Sequence, residues 1–257
     1  MIFSSNYFLA PMASYTDKPF RKIAKDYGAG LTVSELISIN SIYYNNPKAF
    51  ALAKRNDNEI PFAIQLFGYD IDLFIKAAAK IESMCDIIDI NAGCPVPKVL
   101  KAKAGAYLLK EKKHLISIVE SLKKYIKKPV SVKVRMGFDN DNINTIDFYK
   151  DLENAGCDMV TIHARLRNGF YNSNVDYEHI ALVCSHLKIP VVANGGIDSY
   201  EKLKEVKRIT NCKYFMIGQA ALKKPFIFED LLNKKDSIRN IDFIKNLMLN
   251  HFALMIK

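Results

Sequence analysis

Apolar residues follow two rhythms along this chain. Eight short runs, at 7–10, 31–33, 62–66, 87–91, 130–134, 159–163, 191–194 and 214–217, read as buried strands rich in Ile, Val, Leu and Phe, with Gly, Pro and Asn at their ends. Stretches at 18–27, 47–54, 71–83, 112–125, 143–155, 177–186, 199–210 and 226–232 carry apolar positions at helical spacing. Eight strand–helix units in alternation predict an α/β fold, a (β/α)8 TIM barrel over residues 1–232. A doubly wound open sheet would use the same alternation, but no GxGxxG follows the first strand. Residues 233–257 are expected to form a short C-terminal helical extension, with Ile241, Ile244, Leu247, Met248, Phe252 and Met255 on one packing face.

The two-residue strand period assigns side chains to the barrel interior. In Ser131-Val132-Lys133-Val134-Arg135 the valines belong to the helix side, so Ser131, Lys133 and Arg135 face inward. The same count turns Ala63 and Gln65, Asp89 and Asn91, Thr161 and His163, and Val192 and Asn194 inward. The third to seventh strands thus each end in a polar inward residue: Gln65, Asn91, Lys133 with Arg135, His163 and Asn194. A lone inward Asn, Gln or His is ordinarily a satisfied core group. Five at matching C-terminal strand ends are how such a barrel builds an active site. An inward ammonium without a counter-charge costs several kcal/mol, roughly, so Lys133 calls for an anion.

Two glycine-bearing turns offer a place for one. Asn194-Gly195-Gly196-Ile197 closes the seventh strand, and Gly218-Gln219-Ala220-Ala221-Leu222 opens a short extra helix after the eighth. Backbone N–H groups can approach a phosphate there. After the fourth strand, Asn91-Ala92-Gly93-Cys94-Pro95 puts a thiol in a loop beside Lys98, Lys101, Lys103 and Lys110.

Charge adds a partner class. Lys and Arg total 37 against 27 Asp and Glu, a net +10, with much of the excess in pairs such as Lys112-Lys113, Lys123-Lys124 and Lys223-Lys224. Nucleic acid becomes a live partner, although lysine pairs on amphipathic helices also serve as solvated faces. The N-terminus lacks the basic and apolar regions of a signal peptide, and no apolar run reaches membrane-spanning length, which predicts a cytoplasmic chain with no membrane partner. Cysteines 85, 94, 157, 184 and 212 show neither a disulfide framework nor metal-ligand spacing, so no metal is expected.

Taken together, these residues resemble the tRNA-dihydrouridine synthases, FMN-dependent barrels that reduce uridines in tRNA. The resemblance rests on Ala10-Pro11-Met12-Ala13 with Thr16-Asp17-Lys18-Pro19-Phe20-Arg21, Gln65-Leu66-Phe67-Gly68, and Asp89-Ile90-Asn91-Ala92-Gly93-Cys94-Pro95. It continues through Lys133-Val134-Arg135, Thr161-Ile162-His163-Ala164-Arg165, Asn194-Gly195-Gly196-Ile197 and Met216-Ile217-Gly218, covering roughly residues 8 to 230. It implies that Pro11, Met12 and Ala13 line the flavin, that Gln65, Lys133 and His163 contact it, and that Asn194, Gly195, Gly196, Gly218 and Gln219 hold its phosphate end. It makes Cys94 the proton donor to uracil C5, with hydride passing from reduced FMN to C6. It also implies that Asn91 and Tyr171 contact the substrate uracil, with Arg135 and Arg165 as second contacts. Lys98 and Lys103 would face tRNA phosphates, and NADPH or NADH would donate electrons to an enzyme expected to be monomeric.

Two departures from the family pattern stand out. Gln219 occupies the position where the family usually carries Arg, and the single helix expected over residues 233–257 stands where the family usually continues into a tRNA-binding helical domain, of which the resemblance would make it the start. Two other readings compete: an FMN barrel reducing a small pyrimidine or enone, and a catalytically idle RNA-binding barrel. The joint presence of Cys94, Lys133 and His163 argues against the second.

Overall fold

A computed structural model describes residues 2–168 and 174–256 of the chain. Eight parallel strands form one sheet in the order β1-β8-β7-β6-β5-β4-β3-β2. They are β1 (Tyr7–Leu9), β2 (Thr32–Ser38), β3 (Phe62–Phe67), β4 (Ile87–Ala92), β5 (Val130–Gly137), β6 (Met159–Leu166), β7 (Val191–Asn194) and β8 (Tyr214–Ile217). A Phe8–Leu31 bridge joins β1 to the start of β2, where the Leu9 N–H donates to Leu31 O at 2.9 Å. The sheet therefore closes into the expected (β/α)8 barrel.

The outer wall comprises α1 (Lys18–Asp26), α2 (Ile39–Tyr43), α3 (Pro47–Ala53), α4 (Ile71–Ile81), α5 (Pro97–Lys101), α6 (Lys112–Tyr125), α7 (Ile146–Asn154), α8 (Tyr177–His186), α9 (Tyr200–Thr210), α10 (Gln219–Lys223) and α11 (Ile227–Leu232). Local chemistry fixes where several begin. Asp17, Asp70, Thr145, Asp176 and Ser199 each accept a first-turn N–H as N-caps.

Strand parity divides the core as the alternation predicts. Val130, Val132 and Val134 join the large cluster between sheet and helices. A separate inner cluster contains Phe8, Ala10, Leu31, Val33, Ala63, Ile87, Met159, Val192 and Met216. This apolar plug closes the barrel interior, leaving the polar ends of β3–β7 as the layer above it. Register then fixes neighbours: Asn91 lies opposite Lys133, Arg135 opposite His163, and His163 opposite Asn194.

The structure departs from the sequence reading at several elements. The β2 strand extends to Ser38 through a register shift between Val33 and Leu36. Helix α7 begins at Ile146, because Thr145 caps it and Ile143 is taken by an antiparallel bridge to Gly137. Two short elements, α2 and α5, fall in stretches to which the sequence reading assigns no element; neither spans enough turns to display a period.

A further departure concerns α12 (Ile241–Met255), which packs beside α1 but is rotated from the expected face. Phe243 meets Tyr27 and Phe226, and His251 meets Phe20. Ile244 and Leu247 turn partly inward as expected, whereas Ile241, Met248, Phe252 and Met255 remain exposed. The aromatic contacts of Phe243, reinforced by Arg239 over both the Phe226 and Phe243 rings, set this rotation. Among the described residues no helix is long and apolar enough to cross a membrane.

Candidate active site

Above the apolar plug, buried side chains form a connected polar path from β5 across to the loop after β4. Ser131 Oγ donates to Asp89 Oδ1 at 2.5 Å, and Gln65 Nε2 donates to Asp89 Oδ2 at 2.6 Å. Asn91 Nδ2 then donates to Gln65 Oε1 at 2.7 Å. Asn91 Oδ1 accepts the Cys94 N–H at 2.9 Å and the Gly93 N–H at 3.2 Å, folding the chain sharply after the strand. Burial lifts the Asp89 carboxyl to about 6, against the lowering effects of Ser131, Gln65 and Lys133.

The thiol is held from the other side as well. Arg135 Nε donates to Gly93 O at 3.0 Å, and its Nη1 donates to Leu166 O at 2.9 Å, tying the loops after β4 and β6 together. Cys94 O accepts the Ala106 N–H at 3.0 Å. This approach requires Gly105, whose φ is +63° and whose added Cβ would stand 2.7 Å from Cys94 O. Burial raises the partly buried Cys94 thiol above its ordinary range, opposed by the Val96 N–H and by the Arg135 and Lys133 cations. The group therefore keeps its proton at neutral pH.

Beside this loop, at the ends of β1 and β5–β8, opens a cavity of about 350 Å³. Lys133, His163, Asn194, Gly195, Gly196, Gly218, Gln219, Pro11 and Met12 all line it. Lys133 Nζ donates to Asn194 Oδ1 at 2.8 Å, and Asn194 Nδ2 donates to Met216 O at 2.7 Å. Burial, with Arg135 adding to it, lowers Lys133 to about 8 despite the opposing pull of Asp89 and Cys94. It remains an ammonium at neutral pH facing open space.

His163, in the same wall, carries no charge. Burial and the nearby cations Lys133, Arg135 and Arg165 depress it to about 2, so the ring is neutral. Arg165 Nη1 lies 2.8 Å from His163 Nε2. A guanidinium only donates, so Nε2 is the acceptor and the ring proton sits on Nδ1.

The floor beside β7 is backbone. Gly195 and Gly196 have φ of +116° and +71°, and a Cβ at Gly195 would come within 2.7 Å of His163 Cδ2. Tyr177 Oη donates to Gly195 O at 3.0 Å and fixes the turn. On the opposite wall, Thr16 Oγ1 accepts the Met12 N–H at 3.0 Å and donates to Met12 O at 3.1 Å. Thr16 O is held in turn by Arg21 Nη1 at 2.9 Å, and buried Arg21 pairs with Glu59 at 2.7 Å.

Of the residues expected to hold a cofactor, only Ala13 and Gln65 are off the cavity wall; Gln65 instead supports Asn91. Arg165, expected at the substrate, lines this cavity. Cys94, Asn91 and Arg135 are off this wall, although Cys94 and Arg135 lie near enough to Lys133 to act on its charge, and Lys98 and Lys103 are exposed on the loop beyond. Tyr171 lies outside the described residues. The sequence reading missed Asp198, Lys223 and Lys224 on the cavity wall. For the two lysines the signal is the pair itself, one turn after the Gly218–Gln219 helix start.

A family profile described as Dihydrouridine synthase (Dus) matches residues 8–254. The chain is 40% identical over 235 residues to tRNA-dihydrouridine synthase B of Pasteurella multocida, covering 90% of this chain and 70% of that protein. It is 38% identical to a probable tRNA-dihydrouridine synthase of Helicobacter pylori, covering 97% of this chain and 76% of the relative. Among solved structures, histamine dehydrogenase from Rhizobium sp. 4-9 superposes with a TM-score of 0.68 at 11% identity, over 91% of this chain and 46% of that one. A FabK variant from Thermotoga maritima gives 0.55 at 16% identity, over 88% and 64%. These two likenesses speak to the barrel alone.

Proposed function

Because the chain belongs to the dihydrouridine synthase family, we propose that it reduces the C5=C6 bond of uridines in tRNA, using FMN and with NADPH as the electron donor. The observation that carries this reading is the juxtaposition of two features. One is a cavity walled by the Lys133 ammonium and the Gly195–Gly196 backbone; the other is a protonated thiol on the loop after β4, near enough to Lys133 for each to act on the other's charge.

The residues present fit a flavin mononucleotide. Lys133 and Asn194, already bonded to each other, offer a cation and an amide to the polar ring edge, and Gly195, Gly196 and Gly218 leave backbone groups open to a phosphate. Pro11 and Met12 supply an apolar wall. Bound there, reduced flavin supplies the hydride for uracil C6.

The chain's own groups complete the reaction. Adding hydride at C6 leaves carbanion character at C5, and Cys94 Sγ holds the proton that C5 takes up. Burial makes the resulting thiolate unfavourable, so Cys94 regains a proton from solvent before the next turnover. Asn91 and Arg135 keep the thiol loop in place, and one N–H of Asn91 Nδ2 remains to donate to the base. Lys133 offsets negative charge developing on the reduced side of the site. His163, being neutral, adds no charge to the site. Lys98, Lys101, Lys103 and Lys110, all exposed, present cations to RNA phosphates around the base as it leaves its stack.

The test is the product. Protein supplied with FMN and NADPH should convert uridine to dihydrouridine in tRNA purified from cells unable to make that modification. Oxidation of NADPH with an enone or free uracil, and none with tRNA, would overturn the reading.

A further inference from the structure

Cations dominate the cavity wall. Lys133 and Arg165 sit at its β5–β6 side, and Lys223 and Lys224 at its α10 side, against one carboxylate, Asp198. Gln219, at the first position of α10, brings no charge. Helix α10 has only five residues and ends at Lys223, so Gln219 and Lys223 are an i,i+4 pair on one face. Side chains on a helix lean toward its N-terminus, which carries the Lys223 stem back toward Gln219 and the Gly218 turn.

The surroundings leave these two lysines available. Lys202 pairs with Glu205, and Lys204 with Glu201, on neighbouring α9. Among the described residues, Lys223 and Lys224 make neither an ion pair nor a side-chain hydrogen bond. Asp198 accepts from Ser199 Oγ at 3.2 Å. A ligand with a terminal dianion near Gly195, Gly196 and Gly218 would thus meet two uncommitted ammonium groups one helical turn from an uncharged position.

We propose that Lys223 and Lys224 bind the terminal phosphate of the flavin nucleotide and supply, from the end of α10, the positive charge that its start lacks. The assignment rests on the flavin reading above and adds which residues set the preference for a phosphorylated flavin. Charge-assisted hydrogen bonds to phosphate are the strong class, and they are absent for a ligand ending in a hydroxyl. The two lysines therefore act as a selectivity device.

The experiment compares FMN with riboflavin, which lacks the phosphate, by quenching of flavin fluorescence on titration into flavin-stripped full-length protein. Wild type should bind FMN at least about tenfold more tightly than riboflavin. The double variant Lys223→Ala/Lys224→Ala should lose about tenfold in FMN affinity while its riboflavin affinity moves less than about twofold. Lys223→Arg/Lys224→Arg, which keeps both charges, should retain the wild-type preference. An alanine variant that still binds FMN as wild type does would overturn this assignment and leave the flavin reading standing. Wild type that takes up neither flavin would overturn both.

Discussion

At the β3–β4 part of the barrel mouth the polar side chains bond to one another and to the loop after β4; at the β5–β8 part Lys133 and Asn194 bond to each other on the wall of an open cavity. Ser131, Asp89, Gln65 and Asn91 form a continuous path that ends on the Cys94 N–H, and Gly105 and Arg135 clamp the same loop. Across the barrel, Gly195 and Gly196 present bare backbone, and Lys133 is held by Asn194 at the edge of the cavity. The first arrangement fixes one reactive atom, and the second receives a ligand. Losing a group from each side should therefore fail differently.

Removing the thiol gives the largest separation. Cys94→Ala should cut dihydrouridine formation by at least about 100-fold, the usual worth of a positioned acid, while FMN titration shows unchanged affinity. Loss of flavin binding in that variant would merge the two regions and break the comparison. Asn91→Ala comes next, because it strips the acceptor from two N–H groups and the donor from Gln65. Thermal or denaturant unfolding should register a loss of about 1–3 kcal/mol for the buried groups left unpaired. Turnover should drop roughly tenfold through misplacement of Cys94, again with flavin affinity kept.

The ligand side should respond to pH where the thiol side does not. Lys133 is depressed from 10.5 to about 8, so its ammonium is present at neutral pH and is lost as pH rises through about 8. FMN affinity should weaken above that point by at most about tenfold per pH unit, measured by fluorescence titration between pH 6 and 10 (about two units either side of the midpoint). The same depression means the unfolded chain holds more protons than the folded one between about 8 and 10.5. The Lys133 contribution to stability therefore rises with pH across that window. The smallest effects belong to the rim. Lys98→Ala or Lys103→Ala should raise the apparent KM for tRNA by about two- to threefold and reduce the salt slope of binding by about one.

How much of this is legible in the sequence depends on the range of the interactions. Strand parity is local, so the inward placement of Gln65, Asn91, Lys133, His163 and Asn194 follows from counting, and the inner and outer core clusters confirm it. The α12 face is not local: Phe243 and its contacts with Tyr27 and Phe226 decide the rotation. The charge of His163 depends on cations from three positions, and pattern alone cannot weigh them against burial. In the sequence Lys223-Lys224 is one lysine pair among several, and only the closed barrel shows that this pair borders the cavity. The hold of Arg21 on the Pro11–Met12 wall runs through Thr16, a link visible only once the loop is folded.

The most direct test of the divided site follows the electrons. Protein loaded with FMN is reduced with NADPH without oxygen, and tRNA lacking dihydrouridine is then added while the flavin absorption band is recorded. The account predicts that the bleached band returns as tRNA is reduced, in wild type but not in Cys94→Ala. A band that stays bleached in wild type, although flavin is bound and reducible, would contradict it.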